Sequence, residues 1–409
     1  MMTPALLALC VSVFAVAQPP ATPPPPPQPA REAKAPERRA MIEQAVLYLR
    51  SKQDPSGGWN VNPGGPTFPA ITGLVLQGLL GEEDVSENDP VVAGAVAFIL
   101  SRQQEDGGIY DRILPSYNTA ICLAALSQLR TKSPEVQAAI RRAQDFLIGL
   151  QYGEGAIVHE GNPESAQRVD PKHPFYGGWG YGNRGRPDLS NSAFVIEALR
   201  TSGLSESDPV FQRALVFLQR CQMAEKDAGG GTINDMEYAR GSRQGGFIYS
   251  TSENKDKVGS GQSFAGETEE TLDDGTKVSR LRAYGSMTYS GFKSYLYAGL
   301  SRADPRVTLA REWIARNYTV EENPGLGTDG MYYYYLVFAK ANAAFGDETI
   351  RVKNADGSES ERRWKDDLVR RLGTLQNPDG SFRSVDDRWM ENDPVLITAY
   401  SLIALRQAR

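Results

Sequence analysis

Two kinds of helical pattern alternate along the chain. The first is amphipathic, with apolar residues three and four apart across 37–53, 90–103, 134–151, 209–222, 305–318 and 361–376. Such a stripe is the face of a helix laid on a core. Four of these stretches open on Asp89-Pro90, Ser133-Pro134, Asp208-Pro209 and Asp304-Pro305. There a short polar side chain caps the helix and proline takes its first position. The second kind is apolar on nearly every side and rich in small residues: Ala70 to Leu80, Tyr117 to Leu129, Asn191 to Arg200, Thr288 to Leu300, Tyr332 to Ala344 and Leu396 to Leu405. A helix with so little polar surface belongs inside. The pattern predicts six pairs, each with an amphipathic outer and an apolar inner member. Stacked pairs form an open solenoid or close into a ring, and periodicity alone fits both.

A glycine-rich repeat separates the two members of a pair. Gln53-Asp-Pro-Ser-Gly57-Gly58-Trp59 returns as Gln103-Gln-Glu-Asp-Gly107-Gly108-Ile109 and as Gln376-Asn-Pro-Asp-Gly380-Ser-Phe382. Partial copies stand at Gln151 to Gly155, at Gly177-Gly178-Trp179 and at Gln244-Gly245-Gly246-Phe247. Gln53, Gln103 and Gln151 lie 50 and 48 residues apart, and later copies are spread by insertions. A period of this length marks a repeat architecture, so residues 40–409 are expected to be one domain.

The amino-terminal segment changes the picture only at its edge. Residues 5 to 17 form a short apolar run ending in Ala15-Val16-Ala17, too short to span a membrane and suited to signal-peptide cleavage. Residues 18–39 continue as a proline-rich, then charged, linker that stays extended and solvated. The expectation is a signal peptide over 1–17 and export of the remainder. A net charge of −6 gives no electrostatic case for nucleic acid. Beyond the leader only Cys122 and Cys221 remain, too few for a disulfide framework.

The Gln-x-x-x-Gly-x-Trp repeat resembles the QW motif of squalene–hopene cyclases, and more broadly the terpenoid cyclase and protein prenyltransferase superfamily with its prenyltransferase and squalene oxidase repeats. The resemblance covers residues 40–409. It implies an all-α fold, a closed (α/α)6 toroid of six inner and six outer helices with a central cavity where the inner helices begin. Residues 223–286 then form a long Gly-rich insertion. The cyclases of this family carry an Asp-x-Asp-Asp-Thr-Ala motif whose central acid protonates an alkene. The matching stretch here is Asp188-Leu189-Ser190-Asn191-Ser192-Ala193, with serine in the central place. A serine hydroxyl is no acid for an unactivated alkene. The zinc of the prenyltransferases is held by an Asp-x-Cys pair and a distant histidine. No Asp stands two residues before Cys122 or Cys221, and His159 and His173 lie in an insertion. No metal and no cofactor are expected.

Several residues remain as candidates beside plainer roles. Asp188, Asn191 and Asp387 are the polar candidates for catalysis, although Asp188 or Ser190 also suits an N-cap. Trp179, Tyr181, Arg184, Tyr284, Tyr289 and Tyr332 are candidates to line a ligand site. Aromatic faces suit apolar chains or sugars, and arginine suits carboxylate or phosphate. Trp59 and Trp179 equally fit packing between helices, Arg184 and Arg186 equally fit a solvated surface, and the tyrosines equally fill space where helices converge. Asp273-Asp274-Gly275 reads as a hairpin turn.

Three functions follow. The first is an exported toroid that binds, or binds and transforms, an isoprenoid or other apolar ligand, with peripheral membrane contact. The second is a non-catalytic scaffold, and the third a polysaccharide-acting toroid. A dry aromatic cavity, a plugged centre or a wide charged groove respectively would tell them apart.

Overall fold

The computed structural model describes residues 37–61, 65–81, 88–159, 166–182, 185–253, 261–272, 274–354, 356–384 and 386–409. The expected signal peptide, nearly all of the proline-rich linker, Arg184 and Asp273 lie outside these residues. Nearly half of the described residues are helical, in twelve α-helices. The odd-numbered helices are α1 (Arg38–Ser51), α3 (Pro90–Ser101), α5 (Pro134–Gly149), α7 (Pro209–Cys221), α9 (Pro305–Asn317) and α11 (Trp364–Gly373). The even-numbered ones are α2 (Pro69–Leu80), α4 (Pro115–Ser127), α6 (Leu189–Thr201), α8 (Gly285–Tyr297), α10 (Met331–Phe345) and α12 (Pro394–Gln407).

The even-numbered helices bury almost every side chain, whereas α1, α5 and α9 bury one stripe. Packing follows from that difference. Helix α2 lies on α4, α4 on α6, α6 on α8, α8 on α10, α10 on α12, and α12 returns to α2. Helices α3, α5, α7, α9 and α11 pack against the even-numbered helix before them in the chain, and α1 packs chiefly against α12. Asp89, Ser133, Asp208 and Asp304 cap their helices as expected, each accepting a backbone N–H of the first turn. The inner helices begin one to three residues earlier than their apolar patterns suggested.

Four antiparallel two-stranded sheets accompany the helices, so the all-α expectation omitted small hairpins. They pair β1 (Ile157–His159) with β2 (Ala166–Arg168), β3 (Gln222–Ala224) with β4 (Arg243–Phe247), β5 (Glu267–Thr271) with β6 (Lys277–Leu281), and β7 (Ile350–Lys353) with β8 (Glu359–Arg362). Three strands of stretch 223–286 belong here, and Asp274 sits in the β5–β6 turn with its carboxylate on Thr276 N.

The repeat explains how neighbouring pairs are joined. Gln53 Nε2 donates to Gly57 O in its own turn and to Val91 O in the first turn of α3. Gln103 does the same with Gly107 O and Ala139 O of α5, and Gln376 with Gly380 O and Met41 O of α1. The three partial copies resolve into two further clamps of the same kind. Gln151 reaches Gly177 O and Val210 O across an excursion that contains β1 and β2. Gln222, not Gln244, reaches Gly245 O and Arg306 O. The glycine is obligatory for two reasons. Its φ is +90° at Gly57 and +85° at Gly177, a region that side chains rarely adopt. A β-carbon at either position would also strike the backbone of the next odd-numbered helix, at Gly94 or Arg213. The residue two places on hangs its backbone N–H on a hydroxyl of the inner helix: Trp59 on Thr72, Ile109 on Thr119, Trp179 on Ser192, Phe247 on Thr288 and Phe382 on Thr398.

Gln376 ties α11 to α1 and so joins the two ends of the circuit. Gln376→Ala removes both bonds and leaves Met41 O without that donor. Unfolding in urea is expected to show a loss of about 1–3 kcal/mol with an unchanged m-value. A loss below the error of the fit would show that the clamp carries no stability.

Candidate functional site

The inner helices all begin at one end of the circuit, and the residues of their first two turns meet on its axis. Tyr117 from α4 hydrogen-bonds Tyr400 of α12 through the hydroxyls, 3.2 Å apart. The Tyr333 hydroxyl of α10 meets Ser190 of α6 and Ser290 of α8, each at 3.1 Å. Phe194 of α6 bridges the two groups, with ring centroids 5.3 Å from Tyr117 and 6.0 Å from Tyr333. Five of the six inner helices thus contribute to one aromatic and hydroxyl storey.

One helical level deeper the axis is ionic. Glu197 of α6 accepts from Lys293 of α8 and from Lys340 of α10, and Gln77 Oε1 of α2 lies 3.5 Å from Lys340 Nζ. The three charged side chains are at most 7 % exposed. The lysines hold the Glu197 carboxyl down at about 2 although burial alone would raise it. Between the two storeys the side chains close so tightly that, with the rings as they stand, no space is wide enough for a water molecule. Sequence reasoning passed over the triad because Glu197, Lys293 and Lys340 are isolated charges in otherwise apolar helices, far apart in the chain.

Around the mouth, Asp188 caps α6. Its Oδ1 accepts Asn191 N at 2.8 Å and its Oδ2 accepts Asn191 Nδ2 at 2.7 Å. Burial pushes the Asp188 carboxyl up to about 6, against the pull of the Asn191 donors, Arg186 and Tyr249. Arg186 donates to Ser252 O and Gly261 O and lies over the Tyr249 ring at 5.7 Å. Tyr249 continues to Phe264 (4.8 Å) and Phe264 to Trp389 (5.6 Å). Trp389 is 45 % exposed and Tyr181 48 %, both on loops that enter inner helices. Trp389 is held there by an unusual backbone, with φ 55° and ψ 36°. A tryptophan in the left-handed region costs energy. Its ring fills the space above Gly330, where a β-carbon would collide with it, and the Arg388 guanidinium lies 4.4 Å from the ring centroid.

The buried acid Glu391 accepts Tyr332 N at 3.0 Å and Tyr333 N at 2.8 Å, and burial pushes it up to about 7. It caps α10, whose own cap residue is Gly330.

The sequence candidates therefore divide. Asp188, Asn191 and Tyr181 come together at the mouth, with Arg186 and Tyr249. Tyr284 is buried at the start of α8 with its backbone N–H on Phe247 O. Tyr289 is buried against Tyr334 and Phe338. Tyr332 points away from the axis to Arg383 O, and its neighbour Tyr333 takes the axial place, since successive helical residues point about 100° apart. Trp179 is fully buried with Nε1 on Leu147 O, and Asp387 is exposed before the 3₁₀ turn at Arg388–Met390. Among the described residues, no group of three His, Cys, Asp or Glu side chains stands where it would hold a metal ion.

No protein-family model and no curated protein matches this chain. Among solved structures, the GH76A alpha-1,6-mannanase of Salegentibacter sp. HEL1_6 aligns with a TM-score of 0.54 at 9 % identity, covering 91 % of this chain and 98 % of that one. An inactive variant of that enzyme in complex with alpha-1,6-mannotriose aligns at 0.53 and 9 % over the same shares. The type II terpene cyclase MstE from Scytonema aligns at 0.49 and 15 %, over 92 % and 99 %. The likeness is one of fold, the α/α toroid.

A carboxyl whose folded value lies above its unfolded one stabilises the protein below the unfolded value, and that stability is lost as pH rises through the folded value. For Asp188 the window runs from about 4 to about 6. Asp188→Asn keeps a good capping residue and removes the titration. Chemical unfolding is expected to show wild type losing on the order of 2–3 kcal/mol relative to the variant between pH 4 and pH 7. Parallel curves would show that Asp188 titrates normally.

Proposed function

We propose that this chain is a closed (α/α)6 double barrel that binds an apolar, isoprenoid-like ligand against the aromatic mouth of its inner barrel. The observation that carries the reading is the unbroken run of rings from Tyr400 and Tyr333 through Phe194 to Tyr117, with Tyr249, Phe264 and the exposed Trp389 at the rim. Such a surface offers apolar contact and ring faces to a polyene chain. The ligand lies across the mouth and displaces Phe194 and Tyr333 as it enters, because the axis beneath them is tightly filled. Alkene protonation by Asp188 has little support: both of its oxygens accept hydrogen bonds as an N-cap, and Ser190 spends its hydroxyl on Tyr333. We therefore assign Asp188, Asn191 and Tyr181 to positioning at the mouth and read the protein as a binder rather than a cyclase. Export by residues 1–17 fits this role, and amino-terminal sequencing of the secreted chain would check it.

A saccharide is the second reading, favoured by Trp389 and Tyr181, whose exposed ring faces suit sugar stacking as well. The two separate in one titration. Trp59, Trp179, Trp313 and Trp364 are buried, so among the five tryptophans Trp389 alone answers to a ligand at the mouth. Geranylgeraniol is expected to shift and quench the tryptophan emission saturably, and Trp389→Phe to abolish the change. Response to a mannooligosaccharide alone would favour the second reading. Mass spectrometry of a solvent extract of the purified protein is expected to find a co-purified polyprenoid.

A further inference from the structure

The Lys293–Glu197–Lys340 triad has no role in holding an uncharged chain. It contains two ammonium groups and one carboxylate, all buried on the axis of the inner helices. Among the described residues, neither lysine is paired with any other carboxylate. The groups facing it are few: Gln77 Oε1 from α2 beside Lys340, and the Tyr297 ring 5.6 Å from Lys293. The cluster therefore carries one positive charge more than it balances. A buried charge without a counter-charge is strongly disfavoured, and burial, with repulsion from Lys340 as a smaller cause, lowers the proton affinity of Lys293 against the pull of Glu197. Either a lysine gives up its proton or an anion completes the set.

The second fits the side chains that surround the triad. The side chains above the triad leave no room for a water molecule as they stand: both lysines and Glu197 face Leu336 and Val337, and Phe194 and Tyr333 lie between them and the mouth. The lining is apolar except for the Lys293 and Lys340 ammonium groups, the Glu197 carboxylate between them and the Tyr333 hydroxyl. That is the layout of a site with one charged anchor and an apolar approach. The two covering rings are light barriers. Tyr333 is held at its hydroxyl only by Ser190 and Ser290, and Phe194 by ring contacts.

We propose that the ligand is an anionic amphiphile, a long-chain carboxylate, whose head displaces Phe194 and Tyr333 and binds Lys293 and Lys340, with its tail running out along the aromatic storey. The inference rests on the ligand-binding reading above and adds the charge of the head group. A single excess positive charge matches a monovalent carboxylate, and charge-assisted hydrogen bonds from two ammonium groups favour it over a hydroxyl on the same chain.

The test is a calorimetric comparison of geranylgeranoic acid and geranylgeraniol at neutral pH on the full-length protein. The acid is expected to bind at least about ten-fold more tightly. Lys340→Met is expected to remove that preference and to leave the affinity for the alcohol unchanged. Equal affinities in the wild type would overturn the charge assignment while the binding reading stands, as would a preference that survives in Lys340→Met. Binding of neither compound would remove both. The wild-type comparison decides even if the variant does not fold.

Discussion

The structure depends on one repeated side-chain amide. A glutamine at the end of each clamped odd-numbered helix donates both protons, one to its own glycine turn and one to a carbonyl in the first two turns of the next odd-numbered helix. Helix termini leave carbonyl and amide groups without partners, and an apolar contact between helices fixes no register by itself. The amide supplies the missing direction. It sets the height of one pair against the next, and the last copy, at Gln376, applies the same rule to α1. The clamps thus run from α11 through α1, α3, α5 and α7 to α9; between α9, whose C-cap is Tyr318, and α11 the Tyr318 hydroxyl donates to Asp367 instead.

Much of this was legible in the sequence. Inner and outer helices separate by composition, and their Asp-Pro and Ser-Pro openings give the starts of four outer helices to the residue. The repeat gives the clamp where glutamine and glycine stand four apart, as in Gln53–Gly57. It fails to give it where the chain makes an excursion between them. Gln151 and Gly177 then look like halves of two copies, and Gln222 is hidden behind the nearer but unrelated Gln244. Hydrogen bonds across 26 and 23 residues leave no local pattern to read.

The site was legible in part. Asp188 and Asn191 were visible because they occupy a family motif in altered form. Tyr333 was missed for its neighbour Tyr332, since a run of four tyrosines shows which turn faces the axis but not which member does. Glu391 and the triad were invisible for a common reason. Their partners come from other helices, so the sequence shows single charges whose compensation exists only after folding. Trp389 was visible as a residue, but its left-handed backbone depends on Gly330 beneath it and Arg388 beside it.

The excursions at Gln151–Gly177 and Gln222–Gly245 carry a consequence for how such a molecule can change. Each is spliced inside the clamp, yet both ends of the clamp keep their geometry. The joint is indifferent to the length of chain looped through it, as an entropic cost that grows slowly with loop length allows. Both excursions leave and rejoin the frame at the end where inner helices start. New loops can therefore be grafted over the opening while the ring below stays as it was, so that the frame and its orifice are free to diverge at different rates.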